Sequence, residues 1–196
     1  MGCQRSRLPI VGTHAAQYRT NKKSTVNRRN SVYYGLSARE IADRLFSRYG
    51  EDPDEIAQYC MRQECDYLAV HGGRLYAGVE PTLRDLAQHY HLSIVSNCQQ
   101  GYIESFLHFY HLEPLFTDFD CEGNTGLSKS ENIRRLIRRN ALTHPVYIGD
   151  TQMDFQAATQ AGAAFIWASY GFGHVPEAAL RINRFPDLLT LLPSLE

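Results

Sequence analysis

A short apolar strand leads directly into two carboxylates in the segment Val146-Tyr147-Ile148-Gly149-Asp150-Thr151-Gln152-Met153-Asp154. The apolar run has the length of a buried strand. Thr151 and Asp154 have the spacing of a helix-capping pair, so a helix is expected to begin at this point. Capping explains Asp154 but leaves Asp150 unexplained. Because ligands of a parallel sheet bind at the carboxyl ends of its strands, Asp150 is the first candidate site residue.

The chain on both sides of this segment alternates between amphipathic helices and short apolar strands. Apolar residues at helical spacing predict helices after Pro81, around 103–110, over 129–139 and over 155–161. Short apolar runs predict strands at 92–95, 146–148 and 164–167. This alternation indicates an α/β fold with a parallel sheet and helices on both of its faces. Two more helices, one beginning near Ser37 and one after Pro53, precede the alternation.

The pair Ser96-Asn97 directly follows the strand predicted at 92–95. A hydroxyl and an amide at a strand end are able to hydrogen-bond phosphate oxygens, especially beside the free N–H groups of a following helix. Ser and Asn are also common in ordinary turns between a strand and a helix. Taken alone, the pair does not separate these two interpretations.

Lys129 opens the helix predicted over 129–139. A cation at this end of a helix opposes the helix dipole, so helix stability does not account for it. One interpretation is that Lys129 neutralises a bound phosphate. The other is that Ser128 and Glu131 form a capping box while Lys129 points into solvent.

Asp150 and Asp154 are four residues apart, one at a strand end and one in the first turn of the next helix. Two carboxylates in this arrangement can converge on one hard cation. Mg²⁺ binds in this way, since it keeps several waters and takes one or two carboxylates together with substrate phosphate. The segment therefore predicts a Mg²⁺ site.

The order of these features resembles the haloacid dehalogenase-like (HAD) hydrolase superfamily over about residues 36–190, and within it the phosphoglycolate phosphatase-like subgroup. The segments that carry the resemblance are Ile94–Asn97, Gly123–Lys129, Val146–Asp154 and Tyr170–Gly173. The resemblance implies a HAD-like Rossmannoid parallel sheet with a small helical cap. Three parts are expected: an atypical basic segment over 1–34, with the first core strand lost or degenerate, the cap over 35–75, and the α/β core over 76–196.

The same resemblance implies roles for the candidate residues. Ser96 and Asn97 would bind the transferring phosphoryl group, and Lys129 would neutralise its charge. Asp150 would bind Mg²⁺, and Asp154 would be a further ligand or would support the site from behind. The substrate implied is a small phosphorylated metabolite, such as a phosphoglycolate-like compound or a sugar phosphate.

The family's first motif, Asp-x-Asp-Gly-Thr at the end of the first strand, has no counterpart with carboxylates. Residues 1–39 contain no Asp and no Glu, although the family uses the first Asp as nucleophile and the second as general acid and base. If Gly12-Thr13 stood for the motif's Gly-Thr, then Pro9 and Val11 would occupy the two Asp positions, and neither can do that chemistry. A proline is also rare in a central strand. We therefore expect impaired turnover.

Charge is distributed unevenly along the 196 residues, whose formal net charge is only -1. Residues 1–39 carry eight Lys and Arg residues, and all 21 Asp and Glu residues lie after them. A basic arm is able to bind nucleic acid or a membrane, and Met1–Ser6 fits an N-myristoylation pattern. The few aromatic residues of the arm do not favour a nucleic-acid stacking platform.

The composition excludes several other classes of protein. No run of 18 apolar residues occurs, so a transmembrane segment is not expected. The five cysteines follow no secretory signal and have no zinc-knuckle spacing, which favours reduced thiols and a cytoplasmic location.

Together these patterns predict a Mg²⁺-dependent HAD-type phosphatase scaffold that hydrolyses a small phosphate monoester and is impaired as written. The alternative is a non-catalytic pseudophosphatase that binds phosphorylated ligands, held at a membrane by a basic or lipidated N-terminus. No specific nucleic-acid partner is expected.

Overall fold

The structure is a computed structural model that describes residues 10–12, 38–47 and 52–195. Its described strands form one sheet of six, in the order β3-β2-β1-β4-β5-β6, with every neighbouring pair parallel. The strands are β1 (Ile10–Gly12), β2 (Leu92–Ser96), β3 (Phe116–Cys121), β4 (Val146–Gly149), β5 (Ala164–Ala168) and β6 (Leu180–Ile182). The predicted α/β fold with a parallel sheet is confirmed.

Eight α-helices are described, of which six lie where the sequence predicted them, while the two four-residue helices Glu122–Thr125 and Leu188–Leu191 were not predicted. The helices are α1 (Ala38–Phe46), α2 (Pro53–His71), α3 (Val79–His89), α4 (Tyr102–Tyr110), α5 (Glu122–Thr125), α6 (Lys129–Arg139), α7 (Gln152–Ala161) and α8 (Leu188–Leu191). Short 3-10 turns occur at Glu113–Leu115, Phe185–Asp187 and Leu192–Leu195. Within these described residues, no helix has the length and apolar character needed to cross a membrane.

Apolar clusters cover both faces of the sheet, which explains why its inner strands β4 and β5 are mostly apolar. Adjacent residues of a strand point to opposite faces. Ile94 and Ile148 therefore belong to one apolar cluster, with the α3 residue Leu86, while Val95 and Tyr147 belong to the other, which includes residues of α6 and α7. The core thus holds the carboxyl ends of β2 and β4 in a fixed relation.

A three-residue strand, β1, occupies the centre of the sheet. Val11 lies opposite Ile94 of β2 on one side and opposite Ile148 of β4 on the other. The slot left for a first core strand is thus filled by Ile10–Gly12. Pro9 lies outside the described residues. The division into a basic segment, a cap and a core stays a prediction, and most of residues 1–34 lie outside the described residues.

The apolar-run criterion misses two strands at the sheet's edges, β3 and β6. In β3, apolar residues alternate with Asp118 and Asp120, so the segment does not read as a buried strand. Both aspartates are paired with arginines of α6: Arg139 donates to both Asp118 oxygens at 2.7 Å, and Arg135 lies 3.4 Å from Asp120. The tertiary contact offsets the cost of placing acids in the sheet.

Candidate active site

The carboxyl ends of β2 and β4 carry the candidate residues, and the sheet order separates these strands only by β1. Ser96 is the last residue of β2, and Asp150 directly follows β4. Both are buried, and Asp150 is fully so. Polar groups buried at this edge of a parallel sheet have the location at which such folds bind ligands.

Lys129 and Asp154 form a buried ion pair across this edge. The Lys129 Nζ lies 2.6 Å from Asp154 Oδ1, and the two side chains are 6% and 0% exposed. Ser128 and Glu131 do form a capping box at the start of α6, and Lys129 nevertheless points inward. Helix capping therefore does not explain Lys129, which carries a positive charge to a place shielded from water.

Asp154 is held by several donors at the start of α7. Its Oδ2 accepts from the Thr151 hydroxyl at 2.7 Å, the Thr151 N–H at 3.1 Å and the Asp150 N–H at 3.3 Å. The Thr151 hydroxyl oxygen accepts in turn from the Asp154 N–H, which completes a capping box. The Asp154 carboxylate thus orders the turn that follows β4 and aligns it with Lys129.

Asp150 is fixed by the loop that follows β5. Its Oδ2 accepts from the Phe172 N–H at 2.7 Å. Gly171 and Gly173 pack so closely on Asp150 that a Cβ at either position would overlap it. A side chain at Gly171 would overlap the Asp150 carboxylate, and one at Gly173 would overlap the Asp150 carbonyl oxygen, so the close approach of the loop requires glycine at both positions.

Tyr147 connects the two strand ends from below. Its buried hydroxyl donates to the carbonyl oxygen of Val95, the residue before Ser96, at 3.2 Å, and lies 3.5 Å from Asp154 Oδ1. Burial, together with the charges of Asp154 and Asp150, raises the pKa of the Tyr147 phenol well above its ordinary value. Apolar periodicity does not predict this role of Tyr147. The one indication in the sequence is that a buried strand contains a tyrosine, because a buried tyrosine hydroxyl needs a hydrogen-bond partner.

Asn97 lines a cleft of about 680 Å³ between the first two helices and the sheet, and the buried Ser96 directly precedes it in the chain. The Ser96 hydroxyl oxygen accepts from the Cys98 N–H at 3.2 Å, which shapes the turn after β2. Asn97 lines the cleft, facing Arg39 of α1 and Arg62 of α2. The opening therefore carries basic groups on one side and the predicted phosphate-binding turn on the other.

Two acidic residues, Asp66 of α2 and Glu122 of α5, also line this cleft. Burial and the charge of Glu40 raise the pKa of the Glu122 carboxyl, and Lys129 partly opposes that effect. No sequence pattern singled out Glu122, because its position depends on how α5 meets the turn after β2.

The structure brings Lys129 into contact with Asp154 and links Asp154 to the Asp150 N–H, whereas Tyr147 reaches only Val95, the residue before Ser96. Asn97 lines the cleft, which Lys129, Asp150 and Asp154 do not line. Within residues 10–12, 38–47 and 52–195, no three His, Cys, Asp or Glu side chains group as a metal site. Asp150 and Asp154 are two carboxylates of such a site, not a complete ligand set. Their assignment to Mg²⁺, and that of Ser96, Asn97 and Lys129 to phosphate, stay predictions.

The register of β1 bears on the missing first motif. Val11 lies opposite Ile94, two positions before Ser96, and opposite Ile148, two positions before Asp150. If Gly12-Thr13 is matched to the motif's Gly-Thr, Val11 stands at the second Asp position, level with Ile94 and Ile148 and not with Ser96 and Asp150. The residues that follow Gly12, Thr13-His14-Ala15-Ala16, carry no carboxylate either.

Comparisons with known proteins agree with this architecture. A family model described as haloacid dehalogenase-like hydrolase matches residues 10–168. A phosphoglycolate phosphatase of Aliivibrio fischeri is 32% identical over 157 residues, which cover 74% of this chain and 69% of that protein.

Two solved structures have the same fold at low sequence identity. A predicted phosphoglycolate phosphatase from Haemophilus somnus superposes with a TM-score of 0.72 at 19% identity, over 97% of this chain and all of that one. The HAD-hydrolase YfnB from Bacillus subtilis, bound to magnesium, superposes with a TM-score of 0.69 at 18% identity, again over 97% and 100% of the two chains.

Proposed function

The chain belongs to the haloacid dehalogenase-like hydrolase family as a phosphoglycolate phosphatase-like phosphatase, and from this we propose that it binds a small phosphate monoester with Mg²⁺ and has impaired turnover. The substrate class is a phosphoglycolate-like compound or a sugar phosphate. The buried Lys129–Asp154 pair is the observation that carries the proposal.

Lys129 supplies fixed positive charge at the place where a phosphate would enter. Its ammonium group is buried and already ordered by Asp154, so binding a phosphate does not require Lys129 to lose further freedom. A second anion near this cation gains more in the shielded edge of the sheet than it would in water. Ser96 and Asn97 add a hydroxyl and an amide from the neighbouring strand end.

The residues present are suited to Mg²⁺, which needs only one or two carboxylates from the protein. Asp150 is a buried carboxylate at a strand end, the type of oxygen ligand that Mg²⁺ prefers, with waters and phosphate oxygens completing the shell. Asp154 is committed to Lys129 and Thr151, so we assign it to supporting the site rather than to direct ligation. Bound Mg²⁺ would polarise phosphate oxygens and neutralise their charge.

Impairment follows from what the first strand lacks. Family chemistry begins with attack by a carboxylate at the end of the first strand, and residues 1–39 contain none. Phosphoryl transfer depends on positioning and charge neutralisation, which Lys129, Ser96 and Asp150 supply, but these groups do not replace the nucleophile. Binding without efficient turnover is the expected result.

Hydrolysis of p-nitrophenyl phosphate with and without Mg²⁺ tests this proposal, with Asp150→Ala as the matched variant. We expect equal, background rates from both proteins. Binding of inorganic phosphate, measured by calorimetry, is expected in the parent protein and weakened in Lys129→Met. Mg²⁺-dependent turnover that is lost in Asp150→Ala would overturn the impairment, and absence of phosphate binding would overturn the site.

Residues 1–34, which carry the membrane and nucleic-acid alternatives, lie outside the described residues except for Ile10–Gly12. Both alternatives stay predictions. The first requires membrane partition that depends on Gly2, and the second requires retention on heparin that is lost when residues 1–34 are removed. The cytoplasmic location is likewise a prediction.

A further inference from the structure

A groove of about 570 Å³, here called the β3 groove, runs beside the outermost strand on one side of the sheet. Its lining residues come from β3 (Phe116–Phe119), from α4 (among them Glu104 and His108), from the turn after α4 (Glu113) and from the end of α2 (Ala69). None of these described residues belongs to the predicted phosphate or Mg²⁺ site. Within the described part of the chain, β3 pairs with β2 alone, so its other edge has no strand partner.

The β3 groove follows the edge of the strand rather than one face of the sheet. Four consecutive residues of β3 line it. Because adjacent residues of a strand point to opposite faces, a groove on one face would be lined by alternate residues only. The edge of a sheet is the place at which extended peptides add to a protein.

Asp118 partly covers this edge. Its Oδ1 accepts from the Phe119 N–H at 2.9 Å, which satisfies one backbone donor from within the strand. Recognition of an extended segment therefore depends on the side chains of the β3 groove as well as on the backbone.

Those side chains are apolar where they are deep and acidic where they are charged. Leu107 is buried, and Phe116 and Phe119 are half-buried. The acids are Glu104, Glu113 and Asp118, and no Lys or Arg is among the described residues that line the groove. Arg139 already pairs with both oxygens of Asp118 at 2.7 Å from outside the groove, so Glu104 and Glu113 give the groove its negative charge.

Glu104 is the acid that gains most from a nearby cation. Its Oε2 is buried and has no hydrogen-bond partner among the described residues. A carboxylate oxygen shielded from water without a partner costs free energy. A cationic group in the groove lowers that cost by its charge, and it does not have to touch the buried oxygen. Glu113, whose side chain is 46% exposed beside His108, offers a second and more accessible negative charge.

We propose that the β3 groove binds an extended segment of a partner protein in which lysine or arginine alternates with apolar residues. The apolar side chains pack against Phe116 and Phe119, and the cationic side chains lie beside Glu104 and Glu113. The alternation follows from strand geometry, since neighbouring side chains of an extended segment point to opposite sides.

Charge argues against a second copy of this chain as the occupant. β3 alternates apolar residues with Asp118 and Asp120. Pairing the β3 edges of two copies would bring acids of one copy to the acidic groove of the other, and like charges on neighbouring strands are destabilising. A basic strand places opposite charges there instead.

Fluorescence anisotropy of a labelled peptide, added to the full chain, tests the proposal. The probe is a peptide of eight residues in which lysine and valine alternate. The control peptide has the same composition, with all of its lysines before all of its valines. We expect the alternating peptide to bind roughly fivefold more tightly or better, because only its pattern presents cations and apolar groups together along a strand. Equal affinities would mean attraction by net charge alone and would overturn the proposal.

Glu104→Gln and Glu113→Gln should each weaken binding of the alternating peptide by roughly threefold to fivefold, the effect of losing one partly shielded ion pair. Both substitutions keep the size of the side chain, and urea denaturation checks that the variants fold as the parent does. The matched control is Glu55→Gln, which changes a glutamate in the first turn of α2, as Glu104 lies in the first turn of α4, but outside the β3 groove. Unchanged affinity in both groove variants, or an equal loss in Glu55→Gln, would contradict the assignment.

Two further outcomes would assign the β3 groove to another occupant and would also overturn the proposal. A full chain that sediments as a dimer, and that the peptide converts to monomers, would mean that a second copy fills the groove. Carbodiimide cross-links from Glu104 or Glu113 to Lys22 or Lys23, formed without peptide, would mean that the chain's own basic segment does so. Neither the peptide nor these variants involve the predicted phosphate site, so the result is independent of the proposed function.

Discussion

Lys129 and Asp154 place opposite charges 2.6 Å apart in a site that water does not reach. Such a pair stabilises a fold less than its short distance suggests, because both ions lose hydration. Removing one partner of the pair is strongly destabilising, because the remaining charge stays buried without compensation. The pair therefore acts mainly as a constraint that holds α6 and α7 in one relative position.

We expect Asp154→Ala to lower the free energy of unfolding by about 3–5 kcal/mol, because it leaves the Lys129 cation buried without its partner. The substitution also removes the cap of α7. Urea denaturation followed by circular dichroism measures the change. Glu131→Ala, which alters an exposed cap of α6, should cost much less, because it leaves no buried charge unpaired. Equal losses in the two variants would contradict the buried pair.

Gly171 is the second residue whose environment makes a sharp prediction. A methyl group at this position overlaps the Asp150 side chain, so Gly171→Ala should displace either the loop or the carboxylate. We expect a loss of about 1–3 kcal/mol in the free energy of unfolding, measured in urea. Phe172→Ala keeps the backbone N–H that holds Asp150 and removes a half-exposed ring, so it should cost less.

At the scale of elements, α6 shows how one helix start serves two purposes. Ser128 and Glu131 satisfy the free N–H groups at its beginning, which leaves Lys129 free to turn inward. The two interpretations of this segment, capping and charge neutralisation, were alternatives in the sequence. In the structure, the capping box is present and the lysine is buried.

Acid should weaken the start of α6. Hydrogen bonds from the Ser128 hydroxyl and backbone lower the pKa of Glu131, so the folded protein holds that proton less tightly than the unfolded chain does. The stability contributed by the Glu131 carboxylate is present above its ordinary pKa and is lost as the pH falls through the lowered one. Urea midpoints at pH 7 and pH 3 should show a gap between the parent and Glu131→Gln that narrows in acid. A gap that widens would contradict this sign.

At the scale of the whole molecule, the three residues of β1 join the two halves of the sheet. Their backbone groups pair with β2 on one side and β4 on the other, so both candidate strand ends depend on them. Without β1, the two neighbours would expose unpaired backbone groups in the middle of the molecule.

Val11→Pro should therefore destabilise the protein by about 2 kcal/mol or more, since it removes a backbone donor and leaves a buried acceptor unsatisfied. Thermal unfolding followed by circular dichroism measures the loss. Val11→Ala keeps the donor and is the control. If the two variants unfold at the same temperature, β1 does not carry the central pairing.

Much of the fold was predictable because its signals are local. Apolar periodicity located α6 at 129–139 and the strands at 92–95 and 146–148, since strands buried on both faces must be apolar throughout. The edge strand β3 was not predictable in this way. In the sequence, Asp118 and Asp120 are typical of a surface segment. In the structure, arginines of α6 pair with both of them, so the segment can form a strand of the sheet.

The candidate site was also predictable only in the features that depend on local sequence. The sequence alone determined the residue types at the strand ends and the absence of any carboxylate in residues 1–39, because both are properties of a linear order. Only the tertiary structure decided that Lys129 turns inward to Asp154 and that Tyr147 joins two strand ends. These contacts form between segments far apart in the chain. Their energies depend on burial and distance, which no local pattern encodes.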